Sequence, residues 1–252
     1  MMKALNSDKL KIVDVQDPDD LAQRTFEMFK DAAQRAVSER GVFHLAISGG
    51  KTPLQFYQLL GTNSQSMNLP WGKIELFWVD ERCVKPDSPD SNYKLAADTF
   101  LKSVPIPKQN IHRITGEKDD YSIAVEEYDS SLKKVFKLQP GQLPVFDLMI
   151  LGMGPDGHIG SLLPNSYALF DTDDIVTVVY QMCQGHNRIT LTHPVMCAAQ
   201  QLIVMVSGAE KAEIVRDVLL GGPDEVKYPV HTLWPILDKV VWLIDRQAAK
   251  YL

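Results

Sequence analysis

Short apolar runs of strand length alternate with amphipathic stretches along most of this chain. Residues 12–15, 42–47, 74–79, 148–151, 175–180, 188–192, 202–207 and 240–244 have the length and apolar content of strands. Residues 17–40 place Leu21, Phe26, Phe29, Ala33 and Val37 at helical spacing, and Gly41 stops the pattern. Residues 91–101, 119–138, 194–199 and 209–220 also read as helices. Apolar strands separated by helices predict an α/β fold, with an open, mainly parallel, doubly wound sheet and helices on both faces. Residues 62–68 and 139–144 are turn-like, but no linker is long enough to divide domains and no internal repeat is present. A single domain over residues 1–252 is expected.

Three of the predicted strands run into loops with chemistry. The first ends in Ser48-Gly49-Gly50-Lys51-Thr52-Pro53. Thr52 suits an N-cap and Pro53 a first helical residue, which makes the loop and helix start an anion site, with Lys51 adding charge. The second ends in Asp80-Glu81-Arg82, followed by a turn-rich stretch to Asn92. The third is the most informative: residues 148–151 run into Gly152, Gly154 and Gly157, with Asp156 and His158 among them and Pro164 closing the segment. Clustered glycines permit turns with φ > 0 and close backbone approach to a ligand. A histidine at the carboxyl end of a buried strand is where open α/β sheets put their chemistry, and its side chain suits proton transfer near neutrality.

Composition narrows the classes. The 45% hydrophobic and 23% charged residues exclude wholesale disorder. A net charge of −6 argues against nucleic acid or an anionic membrane as partner, while leaving room for a small anion held by local cations. Cys83, Cys183 and Cys197 give no disulfide framework, which fits a reducing compartment. No apolar run approaches membrane-spanning length and the N-terminus has no signal-like core, so a cytoplasmic protein is expected.

Several familiar patterns fail on inspection. Gly152-x-Gly154-x-x-Gly157 matches the dinucleotide fingerprint, but Pro164 arrives too soon for a full crossover helix. Gly50-Lys51-Thr52 mimics the end of a P-loop, yet Leu45 stands where its first glycine belongs. Cys183, His186, His193 and Cys197 fit no zinc spacing. No serine has the GxSxG context of a hydrolase nucleophile, so water is the expected nucleophile of any hydrolysis.

Taken together, the segments 48–53, 80–82 with Ser91-Asn92, and 152–164 resemble the 6-phosphogluconolactonase family in order and spacing. Residues 188–192 and 207–212 resemble its later motifs. The likeness runs from about Ser48 to Lys211. Asp80-Glu81-Arg82 and the Ser161-Leu162-Leu163-Pro164 ending separate the chain from the related hexosamine-6-phosphate deaminases, which typically carry DEY and a GHIAFNEP-like segment. Gly160, Leu163 and the absence of a histidine in residues 85–90 are small departures from the lactonase pattern. The resemblance implies hydrolysis of 6-phospho-D-glucono-1,5-lactone to 6-phospho-D-gluconate in the oxidative pentose phosphate pathway; because the ester is already activated, no cofactor and no metal is expected. His158 is expected as general base. Asp156 is expected to orient it or shape the loop, being too near in the chain for a direct bond to be assumed. Arg82 and N–H groups of the glycine loop are expected to face the oxyanion. Ser48, Gly49, Gly50, Lys51, Thr52, Asp80, Gly154, Gly157, Arg188 and Lys211 are the expected substrate-binding residues, with Arg82, Arg188 and Lys211 as phosphate partners. A monomer is expected. Two rival classes remain at this point: an amino-sugar-phosphate isomerase or deaminase using Asp80 or Glu81 as base, and a non-catalytic sugar-phosphate sensor.

Overall fold

The computed structural model describes residues 9–63, 68–181 and 185–252. Ten strands and six α-helices lie among the described residues. In chain order they are β1 (Lys11–Val15), α1 (Pro18–Arg40), β2 (Phe43–Ile47), α2 (Leu54–Thr62), β3 (Ile74–Trp78), β4 (Asp80–Arg82), α3 (Asn92–Ala96) and β5 (Ile111–His112). There follow α4 (Tyr121–Phe136), β6 (Leu148–Gly152), β7 (Val176–Val179), β8 (Arg188–Leu191), α5 (His193–Ala198), β9 (Leu202–Val206), α6 (Ala212–Leu220) and β10 (Val240–Asp245).

Seven strands form one parallel sheet in the order β1-β10-β9-β6-β2-β3-β5. Its central strands are buried along almost their whole length, and all five residues of β9 are buried. That is why they read as continuous apolar runs rather than alternating ones. From β2 the chain steps outward to β3, and from β6 it steps the other way to β9 and β10. The winding therefore reverses between β2 and β6, where open α/β sheets leave a crevice at the strands' carboxyl ends.

The helix limits follow from local chemistry. Asp17 caps α1 by accepting the N–H groups of Asp19 and Asp20, at 3.0 and 2.9 Å. Ser91 caps α3 through the N–H of Lys94, and Asp120 caps α4 through that of Ser122. Thr52 departs from expectation. A turn at 51–53 intervenes, α2 begins at Leu54, and no side chain caps it. The expected helix at 91–101 is α3 followed by a π-helical turn, Ala97–Leu101.

Two features did not stand out in the sequence. Pro229–Lys239 forms 3₁₀ turns before β10. More important for the site, β4, β8 and β7 form a second, antiparallel sheet. Val79 joins the two sheets: its N–H donates to Ile47 O at 2.9 Å, and its carbonyl accepts from Leu191 N at 2.8 Å. Tyr128 of α4 fastens the end of β3, accepting from Trp78 N and donating to Trp78 O. The direction in which Asp80-Glu81-Arg82 leaves the main sheet is thereby fixed.

Candidate active site

A cleft of about 310 Å³ opens over the carboxyl ends of β2 and β6, bounded by β4, β8 and the start of the segment leading into α6. Its first wall is the loop after β2. The N–H of Ser48 is spent on Ile150 O, and its carbonyl accepts from the Tyr57 hydroxyl. The next four N–H groups, those of Gly49, Gly50, Lys51 and Thr52, have no acceptor among the described residues. The buried Ser48 hydroxyl is also unpartnered. Consecutive free main-chain donors form a concavity that suits an anion.

The second wall comes from the small sheet. Antiparallel register places Arg82 of β4 directly opposite Arg188 of β8. Like charges in this relation repel, and neither guanidinium forms an ion pair among the described residues. Arg82 is held by Asp90 O at 2.7 Å, while Arg188 reaches Ser161 Oγ at 3.4 Å. The buried Nε of each arginine is unpartnered. Burial lowers the proton affinity of Arg188, Arg82 lowers it further, and Asp80 and Asp156 oppose both. A pair of facing guanidiniums, each with a buried unpartnered Nε, has the geometry and charge that suit an anion.

Asp80 and Glu81 face different ways. Asp80 lines the cleft, its carboxylate accepting from Ser161 Oγ at 2.6 Å and Asn92 Nδ2 at 3.4 Å. Glu81 is buried and accepts four bonds: from Arg82 N (2.8 Å), Asn92 N (2.7 Å), Tyr93 N (2.8 Å) and Ser91 Oγ (2.9 Å). Burial raises its pKa above the ordinary carboxylate value despite those four donors. Glu81 thus clamps the start of α3 to β4.

The third wall is the glycine loop after β6. It folds on itself through Gly154 N to His158 O (2.8 Å) and Gly157 N to Gly154 O (3.2 Å). The His158 ring packs so tightly on Gly154 that any Cβ there would overlap its Nδ1 and Cε1. Nδ1 lies 2.6 Å from Asp156 Oδ1. Burial alone would raise the Asp156 pKa, but its bond to His158 and the imidazole's charge win, holding it below the usual value. An Nδ1–H donated to Asp156 leaves the Nε2 lone pair as acceptor, and Nε2 has no partner among the described residues. Lys211 Nζ donates to Met153 O at 3.0 Å, and burial lowers its pKa against the pull of Glu210 and Asp156.

The cleft gathers Ser48, Gly49, Gly50, Lys51, Thr52, Asp80, Arg82, Gly154, His158, Arg188 and Lys211. Three expectations change. Asp156 and His158 bond directly in spite of their closeness in sequence. Gly157 does not line the cleft; its φ is +80°, and it packs against Tyr228 on the far side of the loop. The N–H groups of Gly154 and Gly157 are used within the loop, so they are not spare donors for an oxyanion. Asn92 and Glu210 also line the cleft. Asn92 was visible only as part of a Ser-Asn pair, and Glu210 carried no signal beyond its place beside Lys211. Cys183 lies outside the described residues, and among those described no group of three or more His, Cys, Asp or Glu is placed to hold a metal.

Fold and cleft together define an α/β protein with unpartnered main-chain donors and cations around a histidine at the sheet's switch point. The chain belongs to the glucosamine-6-phosphate isomerase/6-phosphogluconolactonase family, which matches residues 16–242. It is 35% identical over 228 residues to a 6-phosphogluconolactonase of Nostoc sp., covering 90% of this chain and 92% of that one. The solved 6-phosphogluconolactonase of Trypanosoma cruzi has the same fold, with a TM-score of 0.85 at 23% identity, over 99% of this chain and 98% of that one. A monomeric glucosamine-6-phosphate deaminase also shares the fold, with a TM-score of 0.80 at 23% identity, over 96% of this chain and all of the other. Fold therefore does not separate the two activities. No helix among the described residues is long and apolar enough to cross a membrane.

Proposed function

We propose that the chain hydrolyses 6-phospho-D-glucono-1,5-lactone to 6-phospho-D-gluconate, the lactone-opening step of the oxidative pentose phosphate route. One observation carries the reading: a histidine with Nδ1 engaged by Asp156 and Nε2 unpartnered shares a cleft with four cations, Lys51, Arg82, Arg188 and Lys211, that have no ion-pair partner among the described residues. The substrate phosphate sits on the free N–H groups of Gly49–Thr52, with Ser48, Arg188 and Lys211. His158 Nε2 takes a proton from water as its oxygen adds to the lactone carbonyl carbon. Asp156 holds the imidazole in the required tautomer and offsets the charge it gains. With the N–H groups of Gly154 and Gly157 spent, Arg82 is the charged group we assign to the developing oxyanion. When the tetrahedral intermediate collapses, the bond from C1 to the ring oxygen breaks. That oxygen takes the proton back from His158, and the new acid ionises to the carboxylate.

The deaminase alternative needs Asp80 or Glu81 as a carbon-acid base. Glu81 is buried under four donors, and Asp80 is bonded to Ser161 and Asn92. Both arrangements suit clamping better than proton transfer. The test is lactone hydrolysis corrected for spontaneous opening, run beside ammonia release from glucosamine 6-phosphate. Acceleration of the first alone is expected. Ammonia release would instead support the deaminase, and phosphosugar binding without either reaction would support a sensor.

A further inference from the structure

We propose that His231, remote from the cleft, is a positioning residue for His158; the proposal rests on the reading of His158 as the base. His231 is completely buried. Its Nδ1 accepts the N–H of Asp224 at 2.8 Å, and its Nε2 meets Val218 O of α6 at 2.9 Å. A ring that accepts at Nδ1 carries its proton on Nε2, so one neutral tautomer satisfies both main-chain partners. The ring stands edge-on to Trp234 and Tyr228, with centroids 4.2 and 5.5 Å apart. His231 thereby ties the 224–231 turn to α6.

The other side of that turn carries the His158 loop. Val230 N–H donates to Gly157 O at 2.9 Å, and the Tyr228 ring occupies the space that a Cβ on Gly157 would approach to 3.1 Å. Asn165 N–H donates to Val226 O at 3.1 Å, anchoring the loop's exit to the same turn. Beyond the loop's own short-range bonds, Ser161 ties its later half to Asp80 and Thr190 of the small sheet, and Lys211 holds Met153 O at its start. The turn supplies the footing beneath Gly157, next to His158, and His231 holds the turn. Displacing a reacting group by about 1 Å can cost about a hundredfold in rate, so a partial loss of footing should cost about tenfold.

An ordinary core histidine would reduce the amount of folded protein and nothing else. A double-mutant cycle separates the two roles. His231→Gln keeps a donor for Val218 O and loses the acceptor for Asp224 N–H. Val230→Pro leaves His231 intact, sits in the first turn of a 3₁₀ segment that already begins with Pro229, and deletes the donor to Gly157 O while exchanging one buried side chain for another of similar size. With rates normalised to folded protein, each should lower kcat about tenfold and change KM less than about threefold. In a His158→Ala background each should change the residual rate less than about twofold, because the base they position is gone. Equal penalties in both backgrounds, or normal kcat in folded Val230→Pro, would overturn the proposal. Should His231→Gln fail to fold, Val230→Pro decides alone. Full activity in His158→Ala itself is a different result, and would remove the reading of His158 beneath it. The His158 ring resonances should also move in both variants, while those of His112, held by Glu75 at 2.7 Å, stay in place.

Discussion

Replacing Arg188 with methionine is the sharpest test of how an acidic protein holds an anion. The side chain keeps most of its apolar length and loses only the guanidinium. In the free protein the substitution relieves the burial cost of the guanidinium and its repulsion from Arg82, its cross-strand partner, and gives up attraction to the buried Asp80. The unliganded melting temperature should therefore hold or rise. The liganded state should change much more. A charge-assisted hydrogen bond is worth ~1.5–3 kcal/mol, and ~1.4 kcal/mol corresponds to tenfold in affinity. KM for the phosphorylated lactone should rise about 10- to 150-fold on this basis. The phosphate keeps its charge while the lactone opens, so kcat should stay within about threefold.

Thermal unfolding gives an independent reading. At a phosphate concentration of about 100 times the parent Kd, binding stabilises the parent by ~2.7 kcal/mol. A site weakened about 30-fold retains ~0.9 kcal/mol at that concentration. The lost ~1.8 kcal/mol should shrink the phosphate-induced rise in Tm by about 4–7 °C for a chain of this size. Unphosphorylated gluconolactone should bind weakly and be indifferent to the substitution. An equal penalty on both lactones, or an undiminished phosphate-induced Tm rise, would remove Arg188 from the phosphate site.

Other substitutions test other parts of the site. His158→Ala should lower kcat by about 10²–10⁴-fold in a folded protein; near-normal kcat in a folded variant would remove His158 from the mechanism. Asp156→Asn should lower kcat by about 10–100-fold, the cost common for a residue that orients a ligating or reacting histidine. Because the Asp156 pKa is depressed in the folded state, its contact adds stability above the unfolded carboxylate range that is lost as pH falls through the folded value; denaturant titrations should show that acid-side slope reduced in Asp156→Asn. Gly157→Ala forces a non-glycine residue to φ +80° against Tyr228 and should cost ~1–2 kcal/mol of stability, so an unchanged unfolding midpoint would contradict the packing described.

The main sheet was legible because its central strands are buried on both faces and announce themselves as apolar runs. The second sheet was not. β4 is three residues long and entirely polar, and what makes Asp80-Glu81-Arg82 a strand is its pairing with Arg188–Thr190, far along the chain. The same pairing sets Arg82 opposite Arg188, so the most telling electrostatic feature of the cleft was invisible while its two members could be named. Loop geometry was the least legible part. The two-residue spacing of Asp156 and His158 gave no ground to assume a direct bond, yet the turn through Gly154 and Gly157 folds one side chain onto the other. Gly157 belongs to a ligand-like glycine motif, yet it serves the loop's rear contact with Tyr228. A motif fixes which residues gather in a loop; which face of the loop each serves depends on tertiary partners.

A chain of net charge −6 can keep a cationic cleft because two of the carboxylates beside it, Asp80 and Asp156, are occupied elsewhere. Asp80 and Asp156 attract Arg188, and Asp156 also attracts Lys211, which lessens the cost of desolvating those cations. Neither closes an ion pair with them. Asp80 is bonded to Ser161 and Asn92, and Asp156 to His158. Had Ser161 or His158 been absent, each carboxylate would have been free to swing onto the nearest cation and neutralise it. The same bonds that orient the histidine and brace β4 thus keep two guanidiniums and an ammonium unpaired. On this argument Ser161→Ala should weaken phosphate binding without removing any cation, by letting Asp80 compete for Arg188. Unchanged phosphate affinity in that variant would show that the carboxylates do not need restraining.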